Sequence, residues 1–466
     1  MAKLLLYRCT SCDKRFSKWS GQCEECGAWS SIEEVPAEDH MVLSAKKVSL
    51  TQRDEKRTLA QVQNVQDVLL QTAVDEERMH TGSEECDRVF GGGVVRGSLN
   101  LLSGEPGIGK STLLLFLSTQ LVEKGEKVLY VSGEESPYQV AKRAERLGLH
   151  KNNLSLLYEH CIENVLSNVL QENPSILIID SVQVMYSEAM TGSGGSMGQV
   201  RFVTELLMEF AKARKLTVLL IGHVTKDGML AGPKVLEHLV DTVLILEGER
   251  NGRFRFLRTD KNRFGPTDEV GVFAMEETGL RDVLNPSQLF IEGRRKDASG
   301  TSITATVEGT RAFLLEVQAL TATTRFGYPK RTSVGYDMNR LQLLLAVLGK
   351  YTKARFENSD VYLNMVGGLK VRDTGSDLAV AVALLSSKLG ISVPQGVVAC
   401  GEIGLTGEIR SIPHLEKRIQ EAERVGMKEV LVAATDVKGL KLKGKIEVIP
   451  LKTIEELRMH VEKWKV

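Results

Sequence analysis

The stretch Leu99-Asn100-Leu101-Leu102-Ser103-Gly104-Glu105-Pro106-Gly107-Ile108-Gly109-Lys110-Ser111-Thr112-Leu113 decides how the rest of the chain is read. An apolar strand runs into a Gly-rich loop, and the loop runs into a helix. That is the context a phosphate-binding P-loop requires. The glycines let consecutive backbone N–H groups turn toward phosphate oxygens with no Cβ in the way. Lys110 is placed to reach the β- and γ-phosphates, and Ser111 offers a hydroxyl to Mg²⁺. The helix opening at Ser111 and Thr112 adds the positive end of its dipole. Residues Gly104, Glu105, Pro106, Gly107, Ile108, Gly109, Lys110, Ser111 and Thr112 are therefore expected to bind ATP with Mg²⁺.

Two further strand ends complete the expected site. Ile176-Leu177-Ile178-Ile179-Asp180 has the form of a Walker B strand, four apolar residues ending in a carboxylate that can hold Mg²⁺ through water. Val131-Ser132-Gly133-Glu134-Glu135 ends another strand, and a carboxylate at that edge of a parallel sheet lies near bound ligand. Glu134 is the expected base for the attacking water, with Glu135 the alternative. A third strand ends at His223, read either as a γ-phosphate sensor or as a capping histidine.

Short apolar runs alternate with helical stretches from about 61 to 285. This pattern predicts an α/β domain with a mostly parallel sheet covered on both faces. The run 253–258 reads as a strand added at the sheet's edge, and Lys261 and Arg263 as residues of a Gly-ended turn beyond it. From 286 to 466 the texture changes to paired strands, helices near 341–348 and 377–387, and strands again, which predicts a second α/β unit with its own core. Residues 33–60 are polar and charged and read as a linker.

Cys9-x-x-Cys12 and Cys23-x-x-Cys26 form two knuckles within residues 1–32. Each puts two thiolates on one turn, and together they complete a tetrahedral S4 site. Zn²⁺ is the expected metal, although iron suits the same geometry. A segment this small folds on the energy of its metal. The other three cysteines are scattered singly, which is the usage of a reducing cytoplasm.

The chain has 466 residues, with 60 Lys plus Arg against 60 Asp plus Glu. No global field draws it to nucleic acid, so such binding must come from local loops or patches. No run reaches the ~20 apolar residues of a membrane span, and the N-terminal apolar run is too short for a signal peptide.

The four-cysteine module, Gly91-Gly92-Gly93 through Gly97-Ser98 before the P-loop, and Lys261-Asn262-Arg263-Phe264-Gly265 together resemble the bacterial RadA (Sms) family of DNA repair proteins over nearly the whole length. The middle domain is similar to the RecA and DnaB ATPase core, and the C-terminal domain to the proteolytic domain of Lon. The resemblance implies a DNA-dependent ATPase, a ring-shaped, hexameric motor on single-stranded DNA. Such a motor would drive branch migration of recombination intermediates made by a RecA-type recombinase. It also implies that Lys261 and Arg263 complete the site of a neighbouring subunit as trans cations. Two Gly-rich loops, 189–198 and 225–234, are placed as DNA loops facing the ring's channel, the first of them flexible; Lys226 and Lys234 lie in the second. An ATP-gated scaffold that recruits recombination proteins is the alternative, an ATP-dependent Lon-type Ser protease a further one, and an autokinase on the same core a last.

A Lon-type protease needs a Ser–Lys dyad. Aligning the Ala-rich helix 379–383 places Gly375 at the nucleophile position, with Ser376 one residue late, and Arg418 at the Lys position beside Lys417. An arginine does not shed its proton to act as a base. Ring assembly and DNA contact are the expected roles of this domain. The basic groups Arg294-Arg295-Lys296, Arg325 with Lys330-Arg331, and Lys350, Lys353 and Arg355 would serve the contact.

Overall fold

The computed structural model describes residues 7–10, 15–16, 19–23, 26–29, 31–34, 78–148, 154–222, 236–248, 252–277, 279–295, 297–324, 327–437, 440 and 444–465. Cys12, His223, the loop 225–234, Lys296, Arg325, most of the linker and residues 61–77 lie outside the described residues.

At the N-terminus β1 (Tyr7–Cys9), β2 (Arg15–Phe16) and β3 (Ile32–Glu34) form a small antiparallel sheet in the order β2-β1-β3. After the linker a short hairpin, β4 (Arg78–Met79) with β5 (Val94–Val95), encloses α1 (Glu84–Val89).

The nucleotide-binding domain is built on β6 (Leu99–Gly104), α2 (Lys110–Glu123), β7 (Val128–Ser132), α3 (Pro137–Arg146), β8 (Leu154–Tyr158), α4 (Ile162–Glu172), β9 (Ile176–Asp180), α5 (Met197–Arg214), β10 (Thr217–Ile221) and β11 (Thr242–Glu247). An antiparallel meander follows: β12 (Phe254–Asn262), β13 (Val270–Glu276) and β14 (Gly279–Asp282). All nine strands make one sheet, ordered β14-β13-β12-β11-β6-β10-β9-β7-β8. The six strands from β11 to β8 are parallel.

Alternation within β6 shows how the strand is buried on both faces. Leu102 packs with α2 and α3 on one side, and Leu101 with α4 and α5 on the other. Such a strand reads as a mostly apolar run, and its one buried amide, Asn100, is satisfied by the Ser98 hydroxyl at 2.8 Å.

Two expectations about this sheet are corrected. The strand predicted at 253–258 extends to Asn262 and is internal, because β13 and β14 continue the sheet beyond it. Lys261 therefore sits within a strand, paired with Val243, and not on a turn.

Beyond α6 (Pro286–Ile291) come β15 (Thr301–Glu308), β16 (Arg311–Thr323), β17 (Arg331–Val334), α7 (Met338–Thr352) and β18 (Ser359–Met365), whose strands form a sheet in the order β15-β16-β18-β17. Then follow α8 (Asp377–Leu389), β19 (Val397–Ala399), the hairpin β20 (Glu402–Ile403) and β21 (Ile409–Arg410), α9 (Leu415–Arg424), β22 (Glu429–Ala433), β23 (Glu447–Leu451) and α10 (Ile454–Glu462). Every side chain from Leu378 to Leu385 is fully buried, so α8 is apolar around its whole circumference and forms the centre of this unit.

The C-terminal unit has an apolar cluster of its own, around Ile303, Leu314, Val398, Ile419 and Val430, and a second cluster that reaches into the meander. Phe254, Phe256, Val270 and Val272 from the meander share one apolar cluster with Phe290, Phe313, Leu315 and α8. The meander thus presents one face to the ATPase helices and the other to the C-terminal domain.

A buried ion pair ties the two units together. Arg311 of β16 donates to both carboxylate oxygens of Glu85 on α1, at 2.8 and 2.9 Å, and Glu85 also accepts from the Val272 backbone N–H at 2.8 Å. Burial pushes the Glu85 carboxyl up, and the Arg311 guanidinium pulls against it. Arg311→Ala leaves that carboxylate buried without its cation and should cost about 3–5 kcal/mol at neutral pH. With Arg311 gone the Glu85 pKa rises further, so the deficit should grow as pH rises through it and shrink at pH 5.5. Urea midpoints at the two pH values check this, and adding Glu85→Gln should recover much of the loss.

Candidate nucleotide site

The P-loop leaves β6 at Gly104, where the chain turns hard against its neighbour. A Cβ there would stand 2.5 Å from the Leu246 carbonyl oxygen of β11 at φ +153°, so only glycine fits. Arg255, on β12 and buried, holds the far side of the loop by donating Nε to the Ile108 carbonyl at 2.8 Å. Pro106 and Gly107 lie in the turn between these anchors, Gly109 caps α2, and Ser111 and Thr112 occupy its first turn.

Lys110 is buried with its ammonium folded onto the loop, donating to the Gly104 carbonyl at 2.9 Å and the Glu105 carbonyl at 3.0 Å. Burial pushes its pKa down to about 8, while the charges of Asp180 and Glu134 pull the other way. Those two carboxylates thus lie within electrostatic reach of the Lys110 ammonium, and the structure gathers Lys110, Asp180 and Glu134 at one end of the sheet.

Asp180 ends β9 and is fixed by the Tyr130 hydroxyl, which donates to it at 2.6 Å. Glu134 follows Ser132, the register partner of Asp180. It reaches this position because Gly133 packs directly on Val184, where a Cβ would meet the Val184 side chain at 2.2 Å. Ser181 donates its hydroxyl to Glu134 at 2.8 Å. Glu135 turns away and is paired with Arg143 of α3.

Lys261 and Arg263 are placed elsewhere. Lys261 pairs with Val243, which pairs with Leu101, three residues or about 10 Å down the sheet from Gly104. Its ammonium donates to the carbonyls of Glu237 at 2.5 Å and Val240 at 2.8 Å, and burial lowers its pKa. Arg263 is half-exposed and contacts Asp241 at 3.4 Å. Both cations therefore lie at the opposite end of the sheet from their own P-loop.

The loop 189–198 is held rather than flexible. Gln199, buried at the start of α5, donates to the carbonyls of Ser187 at 3.2 Å and Met190 at 2.8 Å and accepts from the Ser187 N–H at 2.9 Å. Tyr130, Ser181, Arg255 and Gln199 escaped the sequence reading. Only Ser181, adjacent to the Walker B carboxylate, carried a positional signal.

Among the described cysteines, the Sγ atoms of Cys9, Cys23 and Cys26 lie within 4.8 Å of one another, and Cys9 and Cys26 are 3.7 Å apart. A tetrahedral site with metal–sulfur bonds of ~2.3 Å needs sulfurs about 3.8 Å apart, so the donor set fits a bound S4 metal. The Gly27 N–H donates to the Cys23 carbonyl at 2.9 Å, closing the second knuckle.

In the C-terminal domain, a Cβ on Gly375 would stand 3.1 Å from the Arg418 guanidinium. Arg418 is 1% exposed and paired with Asp373. Ser376 is fully buried and donates its hydroxyl to the Asp373 carbonyl at 2.8 Å. Two of the basic residues expected on the surface are engaged internally: Arg294 with Thr301 and the Val393 carbonyl, and Arg331 with the carbonyls of Ser359 and Phe356.

The depressed Lys110 pKa sets a pH dependence. Below pH 8 the empty site already holds an ammonium, and above it the ammonium must be regenerated when phosphate arrives. ATP affinity should be flat below pH 8 and fall toward tenfold per pH unit above it, with uptake of one proton. Titration calorimetry in two buffers of different ionisation enthalpy measures that proton. In Lys110→Arg, which stays charged, the profile should be flat.

Comparison with known proteins bears on the geometry. The family model described as "AAA domain" matches residues 51–229, and that described as "Subunit ChlI of Mg-chelatase" matches residues 330–436. The P-loop site is thus that of an ATP hydrolase. The chain is 43% identical to the DNA repair protein RadA of Bacillus subtilis (strain 168) over 96% of each chain. It is 45% identical to the DNA repair protein RadA of Escherichia coli (strain K12), and 44% to that of Pseudomonas aeruginosa, over 92% of each chain in both cases. With identity of this level across nearly the whole length, the chain belongs to the RadA family of DNA repair proteins.

Proposed function

We propose that this chain is a DNA-dependent ATPase of recombinational repair. It acts in the cytoplasm as a hexameric ring on single-stranded DNA and drives branch migration of intermediates made by a RecA-type recombinase. The observation that carries the reading is the split placement of charge. Lys110, Asp180 and Glu134 converge at one end of the sheet, and Lys261 and Arg263 stand at the other. Such a chain holds half a site at each end, and head-to-tail contact between copies completes it, which is how rings close.

In this reading the loop N–H groups and Lys110 hold the phosphates. Ser111 and Asp180 would hold Mg²⁺, which neutralises phosphate charge when bound. Glu134, oriented by Ser181, takes the proton of the attacking water. Glu135, spent on Arg143, does not. Arg263 and Lys261 of the next subunit steady the charge that develops on the phosphates. Lys261 must first release two carbonyls, so Arg263 is the readier of the two. Cys9, Cys12, Cys23 and Cys26 would hold Zn²⁺ as a closed structural site.

The C-terminal domain is read as non-proteolytic. Arg418 occupies the base position as one half of an ion pair, and the Ser376 hydroxyl is engaged with the Asp373 carbonyl. Its surface cations, Arg295, Lys330, Lys350, Lys353 and Arg355, remain available for DNA backbone contact.

Glu134→Gln should lower kcat by about 10²–10⁴-fold while ATP still binds, and Glu135→Gln should have a far smaller effect. Turnover should rise with added single-stranded DNA; absence of stimulation across a salt series, with recombinase binding intact, would favour the scaffold. Lys110→Ala and Arg263→Ala should each be inactive alone. Mixed together they should regain turnover, since a ring holding both has some sites with an intact P-loop facing an intact Arg263. No recovery on mixing would remove the trans assignment.

A further inference from the structure

His160 follows closely on the end of β8 and is half-buried, with its ring turned toward β7. Its Nε2 lies 2.7 Å from the Gly133 carbonyl oxygen. A carbonyl only accepts, so the ring donates from Nε2–H; the neutral tautomer bearing that proton and the imidazolium both supply the bond. Gly133 directly precedes Glu134, the proposed base. We infer that His160 is a positioning residue for hydrolysis: its bond to the Gly133 carbonyl sets the direction in which the Glu134 side chain leaves the backbone.

Gly133 is the weak point in the support of Glu134. A Cβ there would meet the Val184 side chain at 2.2 Å, so glycine is required, and glycine leaves its backbone more conformations than any other residue. Three contacts take that freedom away. The Gly133 N–H donates to the Asp180 carbonyl at 2.9 Å, Val184 covers one side, and His160 holds the carbonyl. That carbonyl lies in the same rigid peptide plane as the Glu134 nitrogen and Cα. Fixing it fixes the stem of Glu134, while the Ser181 hydroxyl holds the carboxylate end at 2.8 Å. Without His160 the plane is free to rotate, and a base displaced by about 1 Å loses on the order of 10²-fold in rate.

His160 is itself held in place. Its N–H donates to the Glu159 carboxylate at 2.7 Å, and its carbonyl accepts from the Tyr186 N–H at 2.9 Å. Its ring meets Tyr158 edge-on, with centroids 5.1 Å apart. Tyr158 is the register partner of Ser132, so β8 carries His160 to the level of Glu134. The bond thus links the outermost strand of the parallel sheet to the residue next to the base.

This role rests on the reading of Glu134 as the base, and variants of the full-length protein separate the two. In His160→Gln the amide nitrogen stands the same number of bonds from Cα as Nε2 does and can donate to the same carbonyl; His160→Ala removes the donor. With ATP and Mg²⁺ saturating, kcat of His160→Ala should fall about 10–10²-fold. Its Kd for ATP, from titration calorimetry, should stay within about twofold of the wild type, because only the transition state has lost support. His160→Gln should recover most of the lost turnover. In a Glu134→Gln background, where no base remains to be positioned, His160→Ala should lower the single-turnover rate no further. Wild-type kcat in His160→Ala, an equal loss of ATP affinity, a glutamine no better than alanine, or a loss that adds to that of Glu134→Gln overturns the positioning role and leaves Glu134 as the base. Wild-type turnover in Glu134→Gln alone removes the base assignment and this role with it.

Discussion

The seating of the P-loop on β11 is the contact on which the rest of the structure depends. Gly104 lies so close to the Leu246 carbonyl that no side chain fits between them, and Arg255 reaches from β12 to grip the Ile108 carbonyl. The loop is therefore shaped by two strands that follow it by some 140 residues. The same strands carry the sheet onward into the meander, with Lys261 at the far end of β12 and the C-terminal core packed on its outer face. A shift in the meander would move the phosphate cradle, the far-end cations and the C-terminal domain together. Mechanical coupling in such a protein needs no separate lever, because one sheet is common to all three parts.

Charge inside the site is arranged to wait. A buried ammonium with only carbonyl partners is under desolvation stress, which is what lowers the Lys110 pKa. Two carboxylates nearby keep it from losing its proton at neutral pH. Arriving phosphate relieves that stress, so part of the binding energy is already stored in the empty loop. Asp180 and Glu134 are similarly held in advance, the first by the Tyr130 hydroxyl and the second by the Ser181 hydroxyl. Groups fixed before the ligand arrives need little reorganisation during the reaction, and that favours a defined transition state over a merely tight complex.

What the sequence disclosed follows from how each feature is built. The P-loop and Walker B strand were legible because strands buried on both faces are largely apolar, and because glycine and lysine at those spacings have few other uses. The S4 set was legible from its paired spacing. The extent of β12 was not, since Thr259, Asp260 and Lys261 look like a polar turn. They form a strand because β11 pairs with Thr259 and Lys261 in antiparallel register, with Asp260 bulged out opposite the Val243–Leu244 step. The shared core was hidden for a related reason: alternation within the meander shows that both faces are apolar, but not which partner covers each. Gln199 was invisible because an amide that accepts and donates to a loop's backbone has no spacing signature.

In the C-terminal domain a buried ion pair, Arg418 with Asp373, stands where the resemblance places a Ser–Lys dyad. At the positions that the resemblance aligns with a Ser–Lys dyad stand Gly375 and Arg418, and a Cβ on Gly375 would lie 3.1 Å from the Arg418 guanidinium. Lysine in such a buried place would lose its proton readily and become a base, whereas arginine keeps its charge and demands an anion. Asp373 supplies it, and Arg418 also donates to the Ala305 carbonyl, so the pair bridges the turn before α8, strand β15 and helix α9. A buried pair of this kind gives little net stability, but it is costly to break. Its effect is to fix the register of three elements around the fully buried α8. Arg418 with Asp373 is thus a structural joint within the C-terminal domain.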